Sequence, residues 1–300
     1  MTNKRLIYIA GPTAVGKTAI SVALAKHIKT EIISCDARQC YKEMIIGTAA
    51  PSEEEREDVP HHFIRNKSIH QAFGAVDFEK EGLILLQQLF KKYNTLILVG
   101  GSGLYAKALT EGLDIFPGIT ATAINIVSQL YQSKGLEGLQ NALEQKDPAY
   151  YKTVDRRNPR RLIRALEVCE TAQKPYSSFL RQSVKDRFFK TQTLLLTQSR
   201  AHLYERINQR VEEMVKEGLE KEAQSLSAFK GLPALQTVGY SEWFDHFEGK
   251  LTQEETVAEI KKNTRRYAKR QLTWFQKVKS TKVEVGELEG TLQQVIAFIK

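Results

Sequence analysis

A phosphate-binding motif lies near the start of the chain. Residues 11–18 match the pattern GxxxxGK[ST], which is typical of nucleotide-binding and ATP-binding proteins. In such a loop the backbone N–H groups surround an anion, Lys17 reaches its oxygens, and Thr18 can ligate Mg²⁺. The expected diphosphate or nucleotide site comprises Gly11, Pro12, Thr13, Ala14, Val15, Gly16, Lys17 and Thr18.

The motif defines an anion site but not a reaction, because kinases, nucleoside triphosphatases and enzymes that release diphosphate can all use it. Nucleotide hydrolases usually place an Asp that holds Mg²⁺ at the end of an apolar strand. Here the apolar run at 95–101 ends in glycines, and the sequence contains no Asn-Lys-x-Asp guanine motif. Hydrolysis as the main activity is therefore disfavoured, and transfer to an acceptor stays open.

Two polar residues follow other apolar runs. Asp36 follows the run at 31–35, and Ser102 follows the run at 95–101. In a doubly wound sheet such positions converge beside the phosphate loop, so both are candidate site residues. Asp36 can act as a general base or Mg²⁺ partner, or it can be a helix cap or turn residue. Ser102 can contact a phosphate or a substrate amine, or it can be one polar residue of a glycine turn. Position alone leaves both choices open.

Arginines cluster in one segment and basic residues mixed with aromatics in another. Residues 155–164 contain five arginines at the start of a predicted helix, where they oppose the helix dipole and favour an external anion over a solvated face. Residues 260–279 contain eight Lys or Arg and no acidic residue, interleaved with Tyr267, Trp274 and Phe275. Cations beside aromatic rings are typical of single-stranded RNA binding, and a solvated helix with core aromatics is the alternative.

Helical spacing places further basic side chains on common faces of two predicted helices. Lys262, Arg266 and Arg270 share one face of the predicted C-terminal helix, away from its apolar residues. Arg206 and Arg210 are spaced i, i+4 beside an apolar stripe and can face a cleft.

Composition agrees with a globular protein that meets a polyanion. The 300 residues carry a net charge of +9, with 42% hydrophobic and 26% charged residues, which excludes a mini-protein and a disordered chain. No stretch approaches the ~20 apolar residues of a membrane span, and we expect no membrane association. The N-terminal apolar run is too short for the core of a signal peptide.

Neither histidines nor cysteines indicate a metal centre. Adjacent His61 and His62 point to opposite sides of an extended chain, which favours structural packing. Cys35, Cys40 and Cys169 are too few and too scattered for a disulfide framework, and no CxxC pair occurs. This usage favours a reducing compartment, so we expect a cytoplasmic protein.

The scaffold that must position these residues is predicted to be α/β. Short apolar runs alternate with amphipathic helical patterns in residues 1–115 and 191–300, as in a mostly parallel sheet covered by helices. Between 116 and 190 only helical patterns occur, which indicates an all-helical insertion. After it, we expect one helix over 200–227 and another over 253–277, the basic C-terminal helix of the core domain.

Eight ordered segments together resemble one family, the tRNA dimethylallyltransferases, also called tRNA isopentenyltransferases. They are GPTAVGKT at 11–18, DARQCY at 36–41, IGTAAP at 46–51, PHHF at 60–63, GGSGLY at 100–105, NPRRLIRALEV at 158–168, VGYSEW at 238–243 and YAKRQLTWF at 267–275. The resemblance runs nearly end to end. The chain differs from the family's usual pattern at Ala37, where Ser is common, at Ser102, where Thr is common, and at Asn125, where an Arg is expected.

The resemblance implies a reaction. The five-carbon group of dimethylallyl diphosphate would move to the exocyclic N6 amine of the adenosine 3′ of a tRNA anticodon, with Mg²⁺ bound and diphosphate released. The core would be similar to that of nucleotide kinases. Asp36 would be the general base, Arg210 would bind diphosphate, Ser102 would complete the catalytic set, and Thr18 would ligate the metal.

The same resemblance places the tRNA anticodon stem-loop on the helical insertion and the basic C-terminal helix, with a flipped target base and a monomeric enzyme. The expected tRNA contacts are Asp36, Ala37, Arg38, Gln39, Ser102, Arg160, Arg161, Leu162, Ile163, Arg164, Arg266 and Arg270. Two other hypotheses are weaker. A small-molecule kinase would leave the basic C-terminal helix unused. A non-catalytic RNA-binding module would not need Lys17, Thr18 and Asp36.

Overall fold

One six-stranded parallel sheet forms the centre of the computed structural model, which describes residues 3–180 and 184–299. The strand order is β3-β2-β4-β1-β5-β6, and every neighbouring pair runs parallel. The strands are β1 (Arg5–Ala10), β2 (Ile32–Ser34), β3 (His61–His62), β4 (Thr95–Gly100), β5 (Lys190–Thr197) and β6 (Thr281–Glu284).

Helices connect the strands. They are α1 (Lys17–Ile28), α2 (Glu53–Arg56), α3 (Ala75–Leu89), α4 (Gly103–Glu111), α5 (Ala121–Lys146), α6 (Pro148–Tyr151), α7 (Pro159–Ala172), α8 (Arg200–Glu217), α9 (Leu219–Leu226), α10 (Ser241–Phe247), α11 (Gln253–Phe275) and α12 (Leu288–Ile299). Short 3₁₀ turns cover Tyr176–Phe179 and Ser227–Phe229.

Alternation along β1 shows why the sheet is covered on both faces. Ile7 and Ile9 belong to one hydrophobic cluster, whereas Leu6 and Tyr8 belong to another. Successive side chains of a strand point to opposite faces, so an apolar run such as this one is stable only between two helical layers. The predicted α/β class, with a parallel sheet covered by helices, is confirmed.

The chain divides into two compact units. One comprises Met1–Glu111 with Asp186–Lys300, and the other is Gly112–Lys185. The second unit holds α5, α6 and α7 around its own core, which includes Leu139, Leu143 and Leu166. The sequence placed the insertion at 116–190, whereas β5 already begins at Lys190.

The single helix predicted over 200–227 is wrong. Helix α8 ends at Glu217, Gly218 adopts φ 104°, and α9 begins at Leu219. A left-handed residue interrupts the helical hydrogen bonds, and glycine adopts that conformation at little cost. The break therefore makes two helices of the predicted one.

Candidate active site

The phosphate-binding loop follows β1 and leads into α1, as its motif requires. Gly16 adopts φ 99° and Ala14 φ 64°, left-handed conformations that turn the loop back on itself. The Lys17 Nζ donates to the Pro12 carbonyl oxygen at 2.7 Å, so the amine lies across the loop. This is the position from which a P-loop lysine reaches phosphate oxygens.

Two arginines from α8 join the loop. The Arg206 Nε donates to the Ala14 carbonyl oxygen at 2.8 Å. Burial lowers the pKa of Lys17 to about 8, an effect that Asp36 opposes and Arg210 strengthens. Burial, and then the charge of Arg206, lower the pKa of Arg210. Lys17 and Arg210 are partly buried, and Glu55 and Glu213 offset only part of the effect on Arg210. Like charges placed in this way favour an anion between them.

The structure thus brings the predicted residue Arg210 to the loop, and it adds Arg206. Both arginines lie beside an apolar stripe in the sequence, but only Arg210 is predicted there as a site residue. Ile207 and Val211 of that stripe are buried, as is Leu203 one turn earlier, which fixes the register of α8 and so the position of both arginines.

Asp36 stands at the turn that follows β2. Its Oδ1 accepts the backbone N–H groups of Arg38 and Gln39 at 2.8 and 3.2 Å. Its Oδ2 has no hydrogen-bond partner among residues 3–180 and 184–299. The turn role and the chemical role left open by the sequence are therefore compatible, because one oxygen holds the turn while the other can take a proton.

Ser102 links the Asp36 turn to α11. Its Oγ accepts the backbone N–H of Ala37 at 3.0 Å, and its side chain interacts with the Tyr267 hydroxyl. Burial, and then the negative charge of Asp36, raise the pKa of Tyr267 to about 12. Tyr267 therefore stays protonated at neutral pH beside the carboxylate. Sequence reasoning missed Tyr267 as a site residue, although its place in a basic, aromatic helix was noted.

Gln271 of α11 joins the two loops. Its Oε1 accepts the Thr13 N–H at 2.9 Å, and its Nε2 donates to the Gly101 carbonyl oxygen at 3.0 Å. The helix packs so tightly here that a Cβ on Gly101 would lie 2.1 Å from the Gln271 Nε2, and one on Gly103 would lie 2.1 Å from the Trp274 Nε1. A side chain at Gly101 would therefore displace the Gln271 amide, and one at Gly103 would displace the Trp274 ring.

The predicted RNA contacts on α11 are exposed. Arg270 lies over the Tyr267 ring, with its guanidinium carbon 5.7 Å from the ring centroid. Arg266 is also exposed and donates from Nη1 to the Asn263 Oδ1 at 3.3 Å. Lys262, predicted on the same face, pairs with Glu259 at 2.6 Å, so its charge is partly compensated.

The predicted contacts at 160–164 divide into two groups. Arg160, Arg161 and Arg164 are exposed on α7. Leu162 is 0% exposed and Ile163 packs against the same core, so Leu162 offers no side-chain surface to RNA. The membership of both residues in a tRNA-contact segment stays a prediction. Helical spacing turns Leu162 inward with the other buried residues of α7, because three to four residues complete a turn.

Comparisons with known proteins identify the family. A family model described as IPP transferase matches residues 39–278. The tRNA dimethylallyltransferase of Christiangramia forsetii is 51% identical over 272 residues, which cover 91% of this chain and 90% of that protein. The chain belongs to the IPP transferase family. The tRNA dimethylallyltransferase of Flavobacterium johnsoniae is 50% identical over 285 residues, or 93% and 92% of the two chains.

Solved structures agree with this family membership. The tRNA isopentenylpyrophosphate transferase of Bacillus halodurans has 35% identity and a TM-score of 0.71, and the match covers 99% of this chain and 95% of that one. A eukaryotic dimethylallyltransferase acting on tRNA has 25% identity and a TM-score of 0.81, with 98% and 78% coverage. The predicted family and its class of enzyme, a prenyl transferase for tRNA, are confirmed.

Two features bear on the metal expected in this transferase. His61 pairs through Nδ1 with the Val59 carbonyl oxygen at 2.8 Å, and His62 through Nε2 with Glu31 at 2.6 Å, so both are engaged in packing contacts. The described part of the chain contains no cluster of three or more His, Cys, Asp or Glu suited to a metal. The donor set near the loop, one Thr18 hydroxyl with Asp36 in the vicinity, fits Mg²⁺ that is held chiefly by substrate phosphates and water.

Among the described residues, no helix combines the length and the apolar character that crossing a bilayer requires.

Proposed function

We propose that this transferase moves the dimethylallyl group of dimethylallyl diphosphate to the N6 amine of the adenosine 3′ of a tRNA anticodon. The observation that carries the proposal is a cation cluster at the phosphate-binding loop, made by the partly buried Lys17 and Arg210 and the exposed Arg206, with the Asp36 carboxylate close enough to act on Lys17. The cluster suits a departing diphosphate, and the carboxylate suits a proton acceptor.

One bond forms and one breaks in the proposed transfer. The adenine N6 forms a bond to C1 of the dimethylallyl group while the C1–O bond breaks, and the electron pair of that bond leaves with diphosphate. The N6 proton passes to the Oδ2 of Asp36, the oxygen without a partner in the described residues. Backbone N–H groups of the loop, Lys17 and the two arginines stabilise the charge that develops on diphosphate.

Mg²⁺ would be held by the Thr18 hydroxyl and by substrate oxygens, and it would neutralise diphosphate charge. Two side chains hold the backbone of the Asp36 turn and of the phosphate-binding loop in place. Ser102 fixes the backbone of the Asp36 turn, and Gln271 fixes the loop at Thr13.

The RNA partner we propose is the anticodon stem-loop. Arg266 and Arg270 on α11 supply phosphate contacts, and the exposed arginines of α7 supply a further set. The buried Leu162 supports α7 from within. We expect a monomer that acts in the cytoplasm, where tRNA is found.

The experiment uses purified protein, Mg²⁺, labelled dimethylallyl diphosphate and two synthetic anticodon stem-loops. One carries adenosine 3′ of the anticodon and the other carries guanosine there. We expect label to enter only the adenosine RNA and nuclease digestion to yield the N6-substituted nucleoside. Failure to label the adenosine RNA, or equal labelling of both, would refute the proposal.

A further inference from the structure

A carboxylate outside the site described above holds a turn by its backbone. Glu222 lies in the first turn of α9, and its Oε2 accepts the N–H groups of Ile45 and Ile46 at 3.0 and 2.9 Å. Its Oε1 accepts the Gly47 N–H at 2.9 Å and the Tyr240 hydroxyl at 2.6 Å. We call these four bonds the Glu222 clamp.

The clamp joins the core to the surface, because Tyr240 lies in the core while Ile45 is 37% exposed. Tyr240 is 0% exposed, and its ring lies so close to Gly47 that a Cβ there would be 2.6 Å from ring atoms. Burial, and then the charge of Glu222, raise the pKa of Tyr240 far above its ordinary value. The Tyr240 hydroxyl therefore remains protonated and donates to Glu222. Three successive N–H groups on one anion form a rigid concave turn.

Gln39 connects the turn at residues 45–47 to the Asp36 turn. The Gln39 Nε2 donates to the carbonyl oxygens of Thr48 and Ala49 at 3.2 and 2.9 Å, directly after the clamped residues. The Gln39 backbone N–H in turn donates to the Asp36 Oδ1 at 3.2 Å. Hydrogen bonds on either side of the backbone of residues 47–49 thus connect Glu222 with the proposed base.

We propose that Glu222 is a positioning residue for the RNA base, acting through Gln39 on the Asp36 turn. This inference rests on the proposed function, because it assigns a purpose to the turn that would meet the adenosine. No hydrogen bond among the described residues joins the clamp or Gln39 to residues 11–18. Loss of the clamp should therefore impair use of RNA and spare binding of the diphosphate donor.

Glu222→Gln tests the clamp without changing its shape. Both carboxylate oxygens accept hydrogen bonds, so an amide must place its NH₂ against donor groups and leave backbone N–H groups unpaired. We expect kcat/KM for the stem-loop to fall about tenfold, with the KM for dimethylallyl diphosphate unchanged within about twofold. Glu220→Gln is the matched control, because Glu220 lies on the same turn of α9 and bonds Gln253 instead of the 45–47 turn. We expect it to behave like the unaltered protein.

A double-variant cycle separates positioning from general loss of stability. If Glu222 acts through Gln39, Glu222→Gln combined with Gln39→Ala should lose no more than Gln39→Ala alone, within about twofold. Tyr240→Phe removes one bond of the clamp and keeps the ring beside Gly47, so it undergoes the same tests if Glu222→Gln does not fold.

Three results would overturn the inference: losses that multiply in the double variant, a donor KM that rises as much as the RNA KM, or unchanged kinetics in a variant whose melting temperature has fallen. Failure of the unaltered protein to prenylate RNA is a different result, which refutes the proposed function itself.

Discussion

Lys17 is the group of the anion site whose charge changes near neutral pH. Burial lowers its pKa to about 8, with Asp36 opposing and Arg210 assisting the shift. With that pKa, about nine-tenths of the molecules carry the ammonium charge at pH 7 and about one-tenth at pH 9. A bound diphosphate raises the pKa, because an opposite charge favours the protonated form. Binding at pH 9 must therefore be accompanied by proton uptake.

The expected consequence is a fall of about tenfold in affinity for dimethylallyl diphosphate from pH 7 to pH 9. The ester's own last ionisation, near 6 as in a phosphate monoester, does not contribute in this range. Titration calorimetry at pH 7, 8 and 9, in two buffers of different ionisation enthalpy, measures both the affinity and the proton uptake.

Lys17→Arg is the matched variant, since its guanidinium stays charged throughout this range. Whatever its affinity at pH 7, that affinity should not change up to pH 9. A constant affinity in the unaltered protein, or an equal slope in Lys17→Arg, would refute the assignment of the effect to Lys17.

Three further substitutions test other parts of the site. Asp36→Asn keeps the Oδ1 that holds the turn and removes the base, so turnover should fall by about 10²–10⁴-fold. Stem-loop affinity, measured by fluorescence anisotropy, should be retained. Lost affinity with intact turnover would contradict the role of Asp36 as general base. Gln271→Ala leaves the Thr13 N–H without its partner and should lower the free energy of unfolding, measured in urea, by about 1–3 kcal/mol. The control Gln276→Ala, at an exposed position, should change it by less than about 0.5 kcal/mol. Equal effects would contradict a stabilising role of the bonds that Gln271 makes to the two loops. Arg206→Ala should weaken diphosphate binding, measured by calorimetry, about tenfold. The control Arg200→Ala, at the exposed start of the same helix, should leave binding unchanged. An equal loss in both variants would mean that net charge, and not the position of Arg206, determines the affinity.

The parts of the site that the sequence predicted are those set by local spacing. The phosphate-binding loop depends on eight consecutive residues between a strand and a helix. Asp36 follows the apolar run that forms β2, which β4 separates from β1 in the sheet. Parallel strands bring their carboxyl ends to one edge, so the meeting of these two segments follows from the fold class alone.

The parts that were missed depend on contacts between distant residues. Gln271 bonds Thr13 across 258 positions, and Glu222 bonds Gly47 across 175, so no local pattern marks either residue. The burial of Leu162 could be predicted, because its spacing from Ala165 and Leu166 is that of the buried face of a helix. Gly218 likewise carried the signal of a helix end, with Lys216 in the preceding turn.

The strand order has a consequence for synthesis of the chain. β1 lies between β4 and β5, yet β5 follows the whole helical unit in the chain. A nascent chain that ends within that unit has one edge of the apolar β1 unpaired, and such an edge invites pairing with another chain. The loop also lacks Gln271 until α11 has emerged from the ribosome. The enzyme therefore acquires its anion site only near the end of translation, and its first strand needs protection until then.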